Sequence, residues 1–424
     1  MNFFDELQWR GLIQDHTPET KDKLTNSKIK GYIGFDPTAD SLHIGSLVPI
    51  IILKHFQNYG HTPVVLVGGA TGMVGDPSGK SQERNLLDKE TLDHNLNAIK
   101  IQLSQFLQFD QCPNAAIIVN NYDWFKNYFF LDFIRDIGKH ITVNYMLAKD
   151  SVKKRLESES GMSFTEFSYQ LVQGYDFYWL FQHLNCELQM GGADQWGNIT
   201  TGTELIRKMT NKPCFALTSP LVTKADGTKF GKSEKGNIWL NANKTSPYSF
   251  YQFWLNTSDI DAETWIKYFT FLSQEKINEL VELHRKSPHE RILQRNLAQE
   301  ITIFVHGENS LLQAQQTSEI LFGENNHAIF NEVEEWQILA ALEGMPIVHL
   351  SEPLPYPILE LLIAAGVCPS KSEGRKLIQN QGLKINKKKI EINTELQIHS
   401  ADLIKNKFLL IQKGKKNYYL VCFS

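Results

Sequence analysis

The stretch from Lys30 to Gly69 constrains the fold more than any other part of the chain. "KGYIGFD" is a short apolar and aromatic run followed by proline, which predicts a strand meeting a turn. "LVPIIILKHFQNYG" has the length and pattern of a helix, with Pro49 tolerable in its first turn and Gly60 at its end. "TPVVLVGG" is apolar at consecutive positions, as a strand buried on both faces must be. Strand, helix and strand in close succession make a βαβ unit, and "AAIIVNNYDW" adds a further strand. The predicted class is α/β, with a Rossmann-like doubly wound parallel sheet whose ligands sit at the carboxyl ends of its strands.

The texture changes after about residue 240. "SPYSFYQFWLN", "EKINELVELHRKS" and "ERILQRNLAQEITIFVHG" carry helical periodicity and few strand signals. The stretch after Gly323 is acidic and then proline-containing ("SEPLPYP"), which suits a linker. The chain therefore reads as a catalytic α/β domain at 1–240, a helical domain at 241–322, a linker at 323–354 and a small α/β domain at 355–424.

Charge separates the last of these from the rest. Residues 371–424 hold twelve Lys and Arg against four Asp and Glu, a balance of +8, while the other 370 residues sum to −12. A basic tail on an acidic body points to a polyanionic partner at one end, with a solvated surface as the plainer alternative. The five cysteines are odd in number and widely spaced, which fits neither a disulfide framework nor a zinc site and predicts a reducing cytoplasm. The N-terminus has no signal-peptide pattern, and no apolar run is long enough to span a bilayer.

Five stretches carry chemistry. In the turn from Tyr32 to Ser46, "DPTADSLHIGS", a helix start offers backbone N–H groups, Gly45 allows close approach of a base or phosphate, and His43 can donate to a phosphate oxygen. In "VGGATGMVGDPSGKSQER" five glycines crowd twelve positions after a strand; Asp76 can pair with an ammonium, and Lys80 and Arg84 with a polyphosphate. In "FTEFSYQLVQGYDFYWL" Tyr169, Gln173 and Asp176 share one helical face, and a buried carboxylate there needs a partner. In "LQMGGADQWGNITTG" a strand runs into Gly192, Asp194 and Gln195, where an acid can accept from ribose hydroxyls or simply cap the helix. In "PLVTKADGTKFGKSEKG" Lys229, Lys232 and Ser233 follow an Asp-Gly turn, on a loop able to close over a triphosphate. Each stretch alone also has an ordinary structural explanation, as a turn, a cap, a core network or a solvated hairpin.

Together the five resemble a bacterial-type tyrosyl-tRNA synthetase, a class I aminoacyl-tRNA synthetase. "GFDPTADSLHIG", "VGGATGMVGDPSGK", "NNYDW", "VNYMLAKDSV", "FTEFSYQLVQGYDF", "GGADQWGNI" and "LVTKADGTKFGKSE" occur in that family's order. "HIGS" is similar to its His-Ile-Gly-His signature and "KFGKS" to its Lys-Met-Ser-Lys-Ser loop. The C-terminal "SKSEGRKLIQNQGLKINKKKIE" resembles the S4-type RNA-binding module that ends such chains.

The resemblance implies activation of L-tyrosine by ATP and transfer of the tyrosyl group to tRNA(Tyr). It implies that Tyr32 and Asp176 hold the phenolic OH, and Asp76, Tyr169 and Gln173 the ammonium. His43, Lys229, Lys232 and Ser233 would act catalytically on the triphosphate. Gly34, Asp36, Thr38, Gly45, Gly192, Asp194 and Gln195 would lie along ATP and the adenylate, with Lys80 and Arg84 near the leaving phosphates. Lys371, Arg375, Lys376, Lys387, Lys388 and Lys389 would contact RNA. Mg²⁺ would arrive with ATP without a dedicated protein site, and the protein would be a cytoplasmic homodimer that does not enter a membrane. Two positions depart from the pattern: Ser46 replaces the signature's second His, and Ile33 stands where some relatives carry Cys. A tryptophanyl-type synthetase shares both signatures, but Tyr32 with Asp176 and the terminal module favour tyrosine.

Overall fold

The computed structural model describes residues 1–78, 87–157, 161–228, 230–233, 236–322, 334–341, 346–390, 393–414 and 417–423. Its chain divides into two compact units, residues 1–245 with 254–305, and residues 246–253 with 306–424.

In the first unit the apolar runs become strands. β1 (Asp15–His16), β2 (Lys30–Phe35), β3 (Thr62–Val67), β4 (Ile117–Asn120), β5 (Cys186–Gly192) and β6 (Phe215–Ser219) form one sheet in the order β1-β6-β5-β2-β3-β4. All neighbours run parallel except the short edge strand β1, which is antiparallel to β6. The order turns around at β2, which pairs with β3 on one side and β5 on the other. A crevice therefore opens at the carboxyl ends of β2 and β5, the position such sheets use for ligands. The expected α/β class and parallel sheet are borne out.

Helices cover the sheet where the sequence pattern asks for them. Leu47–Asn58 follows β2, and Phe164–Leu184 precedes β5. The second begins with a capping box, in which Ser163 accepts from the Glu166 N–H and Glu166 accepts in return, and it ends on left-handed Asn185. Its inner face packs Phe177 and Leu180 against Tyr32, Val64 and Leu66. A small antiparallel hairpin, β7 (Lys232–Ser233) and β8 (Gly236–Asn237), completes the strands of this unit.

One ionic knot ties the first helix, Phe3–Arg10, to the helix Asp259–Phe269. Arg10 is 1% exposed and donates from Nε to Glu6 at 2.7 Å. It also donates to the carbonyls of Lys267, Thr270 and Leu272, each at 2.7 Å. Helix C-termini leave carbonyls without intrahelical donors, and the guanidinium supplies these. Burial pushes the Glu6 carboxyl up, but donors from Trp9, Arg10 and Tyr59 outweigh it and hold the group below its ordinary value.

In the second unit β9 (Ile347–Leu350), β10 (Tyr356–Pro357), β11 (Leu383–Ile385), β12 (Lys388–Lys389), β13 (Gln397–Ile398), β14 (Phe408–Lys413) and β15 (Asn417–Phe423) build a five-stranded sheet, β12-β11-β14-β15-β9, and a two-stranded one, β10-β13. The helices Ile358–Ala364 and Lys371–Gln379 pack on it through Ile358, Leu361, Leu362 and Ile378. The stretch read as a linker contributes a strand: β9 lies parallel to β15, with Leu350 in the core beside Phe423. Four residues in an acidic segment give little local signal, and their partner lies some seventy residues downstream.

Candidate active site

The crevice at the carboxyl ends of β2 and β5 deepens into a cavity of about 490 Å³. Its lining includes Tyr32, Gly34, Asp36, Thr38, His43, Gly45, Asp76, Tyr169, Gln173, Asp176, Gly192, Asp194 and Gln195, so these expected residues from four separate stretches are brought together. Ile33 and Ser46, the two departures, line it as well.

At its deep end β2 presents Tyr32 and the helix Phe164–Leu184 presents Asp176, both 1% exposed. The Asp176 carboxylate accepts from Asn121 Nδ2 at 3.1 Å and from Trp124 Nε1 at 2.9 Å. Burial pushes its pKa up to about 8 against those two hydrogen bonds, and the nearby charge of Asp36 adds to the rise. Burial and then Asp176 push the Tyr32 phenol well above its ordinary value, and the Tyr32 hydroxyl has no hydrogen-bond partner among the described residues. Asn121 and Trp124 were not picked out individually from the sequence. The signal was present, since "NNYDW" directly follows a strand, but nothing local says that both side chains turn towards position 176.

A second carboxylate region lies along the wall. Tyr169 donates to Asp36 Oδ2 at 3.0 Å, and Thr71 donates to Asp36 Oδ1 at 2.7 Å. Asn121 Nδ2 reaches Thr71 at 3.1 Å, so hydrogen bonds run unbroken from Asp176 through Asn121, Thr71 and Asp36 to Tyr169. Since the Tyr169 proton is committed to Asp36, its oxygen is left to accept. Asp76 accepts from Gln195 Nε2 at 2.7 Å, from the Ser78 N–H at 2.9 Å and from Asn198 Nδ2 at 3.4 Å. Gln195 thus connects this acidic region to the turn that follows β5.

The opposite corner is built on backbone. His43 precedes a single helical turn, Ile44–Ser46, and its Nδ1 accepts the Gly45 N–H at 3.0 Å. A neutral ring that accepts at Nδ1 carries its proton on Nε2, which makes Nε2 the donor nitrogen. A β-carbon on Gly45 would lie 2.6 Å from His43 Cε1 and 2.9 Å from Nδ1, so this glycine seats the imidazole as well as sparing space. Gly45→Ala would therefore force the imidazole out of this position.

Next to this corner is an apolar annex of about 400 Å³ lined by Gly45, Val48, Pro49, Pro220, Leu221, Val222 and Phe230. The sequence reading did not single out this slot. The backbone of Lys232 and Ser233 forms β7 of the hairpin. Lys229, Lys80 and Arg84 lie outside the described residues. In the second unit Ser370 caps the helix that exposes Lys371, Arg375 and Lys376; Lys371 pairs with Glu360. Lys387 is half-buried, and Lys388 and Lys389 are exposed on β12. Among the described residues no group of three or more His, Cys, Asp or Glu could hold a metal ion. Among them, too, no helix is long and apolar enough to cross a membrane. The five cysteines are free thiols.

Comparison with known proteins places this geometry. Residues 24–323 match the model of the class I tRNA synthetases (W and Y), and residues 337–421 match the tyrosine–tRNA ligase SYY-like C-terminal domain. A tyrosine–tRNA ligase of Parabacteroides distasonis is 57% identical over 429 residues, covering 99% of each chain. The chain belongs to the tyrosine–tRNA ligase family. Another member, from Cytophaga hutchinsonii, is 55% identical over the whole of both chains. Among solved structures, a C-terminally truncated Aspergillus nidulans mitochondrial tyrosyl-tRNA synthetase aligns with a TM-score of 0.69 at 30% identity, over 76% of this chain and 94% of that one. The resemblance drawn from the sequence is borne out, and residues of four of its five stretches line one crevice.

Proposed function

We propose that this chain activates L-tyrosine with ATP and transfers the tyrosyl group to the 3′ end of tRNA(Tyr), as a tyrosine–tRNA ligase. The observation that carries the reading is the buried polar pair in the cavity, where Tyr32 and Asp176 suit a phenol. In the first step a tyrosine carboxylate oxygen bonds to the α-phosphorus while the bond to the bridging oxygen breaks and pyrophosphate leaves. In the second, a ribose hydroxyl of the terminal adenosine attacks the carbonyl and AMP leaves. The carboxylate is already a nucleophile, so the first step asks for positioning and for stabilisation of charge moving onto phosphate.

Asp176 accepts the phenolic proton while Tyr32 donates to the same oxygen. Asp76, the Tyr169 oxygen and Gln173 hold the ammonium, with Asp36 fixing the Tyr169 proton out of the way. His43 donates from Nε2 to the phosphates, assisted by Lys229, Lys232 and Ser233, with Lys80 and Arg84 on the leaving group. The annex beside Gly45 is apolar enough for adenine, and Gly34, Thr38, Gly192, Asp194 and Gln195 follow the ribose and the acyl phosphate. Ser46 offers a hydroxyl in place of an imidazole at that edge. Magnesium comes with the triphosphate, and no step is assigned to a protein-bound ion. Tyrosine-dependent ATP–pyrophosphate exchange tests the reading; equal exchange with tryptophan, or none with tyrosine, would refute it.

The same proposal extends to tRNA, assembly and location. The basic surface of Lys371, Arg375, Lys376, Lys387, Lys388 and Lys389 suits the phosphates and shape of structured RNA in an S4-like module. The divisions 1–240, 241–322, 323–354 and 355–424 follow as catalytic, helical, connecting and RNA-binding segments. Free thiols throughout suit a cytoplasmic protein.

A homodimer is supported by an exposed apolar surface. Phe129, Phe130, Leu131, Val143 and Phe164 are 76%, 62%, 76%, 59% and 67% exposed. The segments that carry them share one cluster built on Ile137, Ile141, Met146 and Leu205. Apolar surface of this kind marks an interface. We expect the protein to sediment at twice 48.6 kDa. The pair Phe130→Asp and Leu131→Asp should sediment as a single chain, and an undisturbed dimer would remove this surface from consideration.

A further inference from the structure

The turn bearing His43 and the hairpin bearing Lys232 share a short backbone ladder. The Ile44 N–H donates to Ile238 O at 3.0 Å, and the Leu240 N–H donates to Leu42 O at 2.8 Å, around an antiparallel bridge between His43 and Trp239. The Ile238 N–H in turn donates to Gly231 O at 3.2 Å, and β8 runs directly into this segment. The Trp239 indole stands edge-on to the imidazole, with centroids 6.3 Å apart and planes at 65°. Trp239 is itself held from behind. Its N–H donates to Thr245 Oγ1 at 2.9 Å, and Lys244 Nζ lies 5.2 Å from its ring centroid while pairing with Asp40. Asp40 lies three residues before His43, so the contacts close a ring: Asp40, His43, Trp239, Lys244 and back to Asp40.

We propose that Trp239, pinned by the Lys244–Asp40 ion pair, is a positioning residue that sets the His43 imidazole against the triphosphate. The inference rests on the reading of His43 as a phosphate donor. The Gly45 N–H fixes one ring nitrogen, and the indole packs against the ring itself. Both members of the ion pair are about one-third exposed, at 33% and 35%, and so exposed a pair adds little to folding stability. Placement of His43 is the work left for it. An indole also holds a ring without itself carrying a charge, and the cation over the indole is bound to Asp40.

Single-turnover formation of tyrosyl-adenylate in the full-length protein provides the test. Trp239→Leu should slow the step about tenfold, and His43→Asn about 100-fold. The double variant should be no slower than His43→Asn alone, because the brace has no object once the imidazole is gone. Tyrosine affinity without ATP should move by less than about twofold in each. Trp239→Phe should recover most of the lost rate. Should Trp239→Leu fold poorly, the surface pair decides: Lys244→Met should slow the step about threefold, and should do nothing further in an Asp40→Asn background. Losses that multiply in full in both cycles would overturn the brace while leaving His43 in its role. An unchanged rate in His43→Asn would instead overturn the reading of His43 itself.

Discussion

Replacing Asp176 with alanine should lower the preference for tyrosine over phenylalanine by about 10²- to 10⁴-fold. Phenylalanine in the native pocket offers Asp176 no donor beyond Asn121 and Trp124 and leaves the Tyr32 hydroxyl buried without a partner, and each such unmet demand costs about 1–3 kcal/mol. Alanine removes the first of these penalties and the acceptor that rewards a phenol. The residues proposed for ATP do not include Asp176, so the KM for ATP should change far less than kcat/KM for tyrosine. Pyrophosphate exchange with both amino acids measures the ratio, and an unchanged ratio would rule out Asp176 as the discriminating group.

The same carboxyl fixes a pH dependence. Burial holds its pKa up at about 8, so the empty pocket carries a largely protonated Asp176 at neutral pH. A raised carboxyl pKa favours the folded state most below the ordinary value of 3.8, and that contribution is lost as pH rises through about 8. A phenolic donor favours the anion, so tyrosine binding expels the proton. Affinity should then rise with pH up to about 8 and level off above it, and Asp176→Ala should flatten the profile.

Arg10→Met should destabilise the first unit by about 3–5 kcal/mol, the range for breaking a buried pair from one side. It strands the Glu6 carboxylate and removes the donor from three carbonyls, those of Lys267, Thr270 and Leu272. Denaturant unfolding should show a lower midpoint with an unchanged slope. Adding Glu6→Gln should restore part of the loss, because the uncompensated charge goes with it. Glu6 has a lowered pKa, so its contribution is fully present above its ordinary 4.5 and is lost as pH falls through the lower, folded value. Acid should therefore hurt the native protein more than the double variant. Equal acid midpoints would mean that the knot stabilises nothing.

What could be read from the sequence follows from the range of each interaction. Tyr169, Gln173 and Asp176 were legible as a group because helical spacing alone puts them on one face. The β2–β3 unit was legible because apolar runs and the Asp-Pro and Gly-Gly breaks are local. Asn121 and Trp124 were not assigned, since their bonds to Asp176 span more than fifty residues and no periodicity encodes them. Arg10 is further still from its acceptors, 257 to 262 residues away, and it sits in a helix that looks ordinary in isolation. Trp239 follows the lysine loop with no local signal of a role until the ladder with His43 is seen. The seating of His43 on Gly45 spans only two residues, yet the signature that contains them says nothing about which ring nitrogen is engaged.

The hydrogen-bonded wall from Asp176 through Asn121, Thr71 and Asp36 to Tyr169 draws on segments that meet only when the parallel sheet is closed. An incompletely assembled chain has no such wall and offers tyrosine no purchase. The amino acid therefore inspects the scaffold that binds it: free tyrosine at about 100 times its dissociation constant would add about 2.7 kcal/mol to the closed state and nothing to the open one. The substrate is thus also a stabiliser of the protein that consumes it, and withdrawing tyrosine would remove the same increment of apparent stability.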